Sequence, residues 1–181
     1  MNFIYYFMIT LTILPSQNLK TSMDEKTGDP MMVGIAQRSD LTVGHYGEWF
    51  EEEYSEYGGD EELIIASKDF LKEIDIETFL GTWCEDSRRE VPRLYKILDG
   101  MGFPSREMDL ITLDRDKKSG HGLEDGKNIH HVPTIIIYKK GKELGRIIES
   151  PIESLEEDIF NILIGAGPDP NYYDWEPEEE N

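Results

Sequence analysis

The chain has 181 residues, 38% of them hydrophobic and 31% charged, which suits one soluble domain with tails. Its 38 carboxylates stand against 18 Lys and Arg, a formal net charge of −20. A field of that sign repels nucleic acid phosphates and anionic lipid heads, so neither is expected as a partner. The single cysteine, Cys84, excludes an internal disulfide and a cysteine-rich zinc cage, so any disulfide is made with another molecule.

Taken in chain order, the first feature is an apolar run from Phe3 to Leu14. Its 12 residues are too few to cross a hydrocarbon layer as a helix, which needs ~20, so no stable membrane span is expected. The length fits the apolar region of an export signal. Residues 1–22 are therefore expected to be an export signal or N-terminal hydrophobic segment, and the protein periplasmic or in the cell envelope. No Lys or Arg precedes the run, and translation from Met23 is the alternative, leaving a cytoplasmic protein.

Residues 23–59 read as an N-terminal extension. MMVGIA (31–36) is a candidate strand, and from Asp40 onward Tyr46, Trp49, Phe50, Tyr54 and Tyr57 recur at spacings of three and four, predicting an amphipathic helix. Gly58-Gly59 ends it. The main domain is expected over 60–167. Glu61 to Ile74 is helical in pattern, although Ile64-Ile65 also admits a strand. DIETFLGTW (75–83) is β-rich, and Ser87 to Met101 presents Val91, Leu94, Tyr95 and Leu98 on one helical face.

EMDLITLD (107–114) reads as a buried strand, and DRDKKSGHGLEDGKN (114–128) as a solvated connection. The Asp114-x-Asp116 pair is not a calcium loop, because Lys118 occupies the next ligand position. TIIIY (134–138) and ELGRII (143–148) flank Gly141 as a hairpin. Ser150-Pro151-Ile152-Glu153 reads as a capping box opening a last helix with Ile152, Leu155, Ile159, Phe160 and Leu163 buried. Residues 168–181 read as an acidic, solvated tail. The expected class is α/β, a central mixed sheet flanked by helices with an extra N-terminal helical segment. Strand–helix–strand order implies parallel pairing, and the hairpin adds an antiparallel edge.

Three features occur together in that frame. Trp83-Cys84-Glu85-Asp86-Ser87 ends a strand and starts a helix, Pro92 lies inside that helix, and Val132-Pro133-Thr134 opens the hairpin. In this combination, over roughly residues 60–164, the chain resembles the thioredoxin-like family, most closely exported bacterial proteins of that kind. The resemblance implies a cis bond at Val132–Pro133 lying against the cysteine, with Trp83, Val132 and Pro133 forming the substrate rest. It also marks departures. The second cysteine of the family's motif is Ser87 here, a monothiol CxxS variant. The family's buried aspartate is Thr78, and its lysine partner is replaced by Leu110 or a neighbour.

The thiolate is the nucleophile in disulfide exchange. A helix N-terminus favours it by ~0.3–1 kcal/mol, up to ~2 when partly buried. Glu85 and Asp86 oppose it, while Arg88 and Arg89 compensate if either folds back towards the sulfur. Ser87, one helical turn on, is placed to donate to a thiolate or else to cap the helix. His131 is a candidate to support the thiolate as imidazolium, or an exposed loop residue. His130 and His131 point different ways along an extended chain, so no metal site is expected, and no cofactor.

The leading expectation is a monothiol thiol–disulfide oxidoreductase or isomerase. Cys84 and Ser87 would be catalytic, acting on protein or low-molecular-weight thiols and disulfides. The alternative is a redox-inactive module that holds extended peptide in the same groove.

Overall fold

The computed structural model describes residues 18–176. Most of the expected export segment (1–17) and the end of the tail (177–181) lie outside the described residues. In chain order the elements are β1 (Leu19–Met23), β2 (Pro30–Ala36), α1 (Arg38–Leu41), α2 (Gly44–Glu56) and α3 (Glu61–Ser67). There follow β3 (Ile74–Leu80), α4 (Glu85–Met101), β4 (Met108–Thr112), β5 (Thr134–Lys139), β6 (Lys142–Ile148) and α5 (Leu155–Leu163).

The strands form one six-stranded mixed sheet in the order β1-β2-β4-β3-β5-β6. Strand side chains alternate between faces, and that alternation divides the core. Ile74, Ile76 and Leu80 of β3 join Leu110, Ile135 and Ile137 against the apolar stripes of α2, α4 and α5. Phe79, on the other face, joins Ile111, Leu113, Val132 and Ile136 in a smaller cluster, with Trp83 and Cys84 packed against it. The helices thus cover one face of the sheet, and the 113–133 connection covers the other around the cysteine.

Helix α4 has unambiguous ends. Cys84 is its extended N-cap residue, and Gly102 closes it at φ 73°. That left-handed conformation suits glycine, and Phe103 N–H reaches back to Leu98 O (2.9 Å) as in a Schellman stop.

Four local expectations are corrected. The β3–β4 pair is parallel, but β2 runs antiparallel to β4, so the strand–helix–strand path from β2 does not give a parallel pair. A hairpin explains it: β1 pairs with β2 and takes the sheet edge. Residues 19–22, assigned from sequence to the N-terminal segment, belong to that edge strand. Helix α3 stops at Ser67 and a 3-10 turn over 68–70 follows, well short of Ile74.

Helix α5 begins four residues late. Its N-cap is Ser154, whose hydroxyl accepts from Glu157 N–H, and Ile152 is 43% exposed rather than part of the stripe. The buried carboxylate of Asp158 accepts from Ile152 N–H (2.7 Å) and holds residues 150–153 in a turn outside the helix.

Candidate functional site

The site grows from the junction of β3 and α4. Gly81 leaves the strand, Cys84 N–H closes a turn on Gly81 O (2.9 Å), and Arg88 N–H starts the helix on Cys84 O (3.0 Å). The sulfur is half-exposed and donates to the carbonyl of Val132 (3.1 Å). That carbonyl belongs to the Val132–Pro133 peptide bond, which is cis. Thr134 turns its hydroxyl onto His131 O (2.8 Å), fixing the loop at the start of β5. Cys84, Trp83, Val132 and Pro133 are therefore brought together.

The other two expected site residues are engaged elsewhere. Ser87 is fully buried, and its hydroxyl accepts from Gly81 N–H (3.2 Å), tying helix to strand, with no hydrogen bond to the sulfur. His131 faces His130, Nδ1 to Nδ1 at 2.7 Å, so one nitrogen donates and the other accepts. Its ring stacks on Tyr172 at 4.0 Å between centroids, not on Cys84. Among the described residues, no group of three or more His, Cys, Asp or Glu is placed to hold a metal ion.

Thr78, at the position of the family's aspartate, is buried and donates to Met108 Sδ (3.2 Å). Its register partner across the parallel pair is Leu110. An apolar neighbour and a thioether fill the space of a proton-relaying charge pair.

Of the two arginines that would compensate by folding back, Arg88 donates to Thr82 O (2.7 Å), one residue from Trp83. Arg89 is bound to Asp86 and Glu90, both at 2.6 Å. A third arginine, not singled out in the sequence, lies closer to the site's business. The guanidinium carbon of Arg115 sits 4.7 Å from the Trp83 ring centre, and Trp83 Nε1 donates to Leu113 O (2.9 Å). Arg115 makes a two-pronged bond to Asp24 in the β1–β2 turn, at 2.7 and 2.6 Å. That hydrogen bond holds the Asp24 carboxyl well below the usual carboxylate range and keeps the guanidinium charged. Only a charge-complementary residue 91 positions away distinguishes Arg115 from its solvated neighbours, so the sequence carried no local signal for it.

The segment read as a solvated tail returns to this loop over 171–175. Asn171 Nδ2 donates to Ser150 O (2.9 Å), Tyr172 donates to Glu149 (2.6 Å), and Trp175 stacks on His130 at 4.5 Å. Burial, the neighbouring His131 and Arg146 push the His130 imidazole below its ordinary value. An unfolded chain therefore takes up this proton first, near pH ~6.5. Stability is fully present above that value and falls as pH drops through it. The expected result is a urea midpoint that declines between pH 7 and 5.5 in the parent protein and declines less in a His130→Asn variant.

No protein-family model matches the chain. Over 84 residues it is 27% identical to thioredoxin H2 of Arabidopsis thaliana, covering 46% of this chain and 59% of that protein. The match thus spans less than two thirds of the plant protein's length. Among solved structures, a protein of unknown function from Pseudomonas aeruginosa superposes with a TM-score of 0.54 at 12% identity, covering 74% of this chain and 94% of that one. At that identity the likeness concerns fold alone. The sequence match supports a distant thioredoxin-like relationship, and the mixed sheet with its flanking helices is a thioredoxin-like fold. Among the described residues, no helix is long and apolar enough to cross a membrane.

Proposed function

We propose that the protein is a monothiol thiol–disulfide exchanger of thioredoxin type, acting through Cys84 on protein or low-molecular-weight disulfides. The observation that carries this reading is the half-exposed sulfur at the N-terminus of α4, bonded to the carbonyl of Val132 just before Pro133. A substrate strand laid along that loop meets a main-chain ledge, which binds extended peptide with little regard to side chains. Trp83 walls the same site.

The chemistry balances without an oxidant. The Cys84 thiolate attacks one sulfur of a substrate disulfide, forming a mixed disulfide and expelling the other sulfur as a thiolate that takes up a proton. A second thiol, from the substrate protein or a small thiol, then attacks and releases Cys84. Ser87 cannot take that resolving role, having no sulfur. Isomerisation and transfer of a thiol group fit such a cycle better than net reduction.

The second reading, a redox-inactive module binding extended peptide at the same ledge, draws on Thr78 and Leu110. That pair puts no carboxylate at the place of the family's buried aspartate. Reaction with an aromatic disulfide, followed by intact mass, separates the two. We expect a mixed disulfide on Cys84 at a rate above that of free cysteine at pH 7, released by added glutathione. A rate at or below that of free cysteine favours the binding module.

A further inference from the structure

The row Asp24, Arg115, Trp83, Cys84 joins the sheet edge to the reactive sulfur. Asp24 is 1% exposed and sits in the turn between β1 and β2. Besides its two bonds to Arg115, it accepts from Thr27 Oγ1 (2.9 Å) and Lys26 N–H (3.2 Å). Its backbone closes the turn on Asp29 O (2.8 Å) and Gly28 N–H (2.7 Å). A carboxylate so fixed, paired two-pronged with a planar guanidinium, determines where that guanidinium lies. It lies over the Trp83 ring, whose indole N–H is fixed on Leu113 O (2.9 Å).

We infer that Arg115 is a positioning residue for Cys84: anchored by Asp24, it pins the Trp83 indole beside the cysteine and supplies a fixed positive charge to the thiolate. This inference rests on the exchange reading above. Other charged groups stand near the helix start. Arg88, held on Thr82 O by its Nε–H, keeps its charge and acts alongside Arg115; Arg89 is paired with Asp86 and Glu90 and does not touch the Trp83 ring, and Glu85 is an exposed carboxylate. Lys117 stands 5.9 Å from the Trp83 ring centre on a flexible stem, and His131 is turned towards His130. The geometric link from the Arg115 guanidinium to Cys84 runs through Trp83, the adjoining residue, whose ring it covers at 4.7 Å. Asp24 offsets part of the positive charge, so the effect is smaller than that of a free cation at the same place.

The test is the iodoacetamide alkylation rate of Cys84 against pH in the full chain, for the parent, Arg115→Gln, Arg115→Lys and the double variant Asp24→Asn/Arg115→Gln. The double variant removes the buried carboxylate that a single Gln substitution strands, so the reading survives if the single variant fails to fold. Loss of Arg115 should move the rate midpoint up by about half a pH unit, or about threefold slower labelling at pH 7, with an unchanged plateau at high pH. Arg115→Lys should restore most of the shift, which a merely structural role would not do. An unchanged midpoint in both Gln variants, or equal shifts in Lys and Gln, would overturn the inference. The shift is read between variants and tests Arg115 whatever the parent value is. A parent midpoint at or above that of free cysteine, ~8.5, tells instead against exchange.

Discussion

Replacing Cys84 with serine is expected to abolish thiol–disulfide exchange down to the uncatalysed background while leaving the fold intact. A serine hydroxyl is not ionised near neutrality and forms no mixed disulfide, so the first covalent step has no nucleophile. The structural cost is small. The hydroxyl can still donate to Val132 O, and a single half-exposed hydrogen bond is worth about 1 kcal/mol. Circular dichroism and melting should therefore be close to those of the parent, with exchange at zero. A serine variant that still turns over disulfides would place the chemistry elsewhere. One that loses nothing because the parent was already inert would leave the peptide-binding reading.

The second large effect is on stability. Phe79→Ala should cost about 3–5 kcal/mol, because a phenylalanine 1% exposed is removed from a cluster too small to collapse around the void. The ring lies with Ile111, Leu113, Val132 and Ile136 on the face that carries Trp83 and Cys84, so the cavity opens beneath the site. The same substitution at Ile65, 60% exposed on α3, should stay within about 0.5 kcal/mol and serves as the control. Urea unfolding checks both. Equal costs would mean that the small cluster is not the support of the site.

Legibility of the sequence followed the range of the interactions. The alternation of β3, the apolar face of α4 and the β5–β6 hairpin were readable because each pattern repeats within a few residues and matches its burial. The start of α5 was not, since both Ser150 and Ser154 precede an acidic residue at the capping interval. The choice between them is made by Asp158 folding back on Ile152. Strand β1, LKTSM, is polar and largely exposed, so nothing apolar marks it; its strand character comes from pairing with β2.

At the candidate site the split is similar. Motif and resemblance mark Trp83-Cys84 and Val132-Pro133, which the structure sets side by side, while Ser87 and His131 are hydrogen-bonded away from the sulfur. Ser87 is drawn to Gly81 N–H by the tight turn between β3 and α4, and His131 to His130 and Tyr172 by stacking with a distant segment. Asp24, Arg115 and the returning tail are tertiary contacts between residues that look like ordinary surface polarity in one dimension.

The most direct test of the central claim is the rate of Cys84 alkylation by iodoacetamide across pH 4 to 10, with intact mass confirming one label on the one thiol. Exchange through Cys84 is expected to give a rate midpoint below the ~8.5 of free cysteine and a fast plateau in the folded protein. A midpoint at or above that value, or a sulfur that labels only on unfolding, would contradict it and leave a thioredoxin-like fold that binds without exchanging.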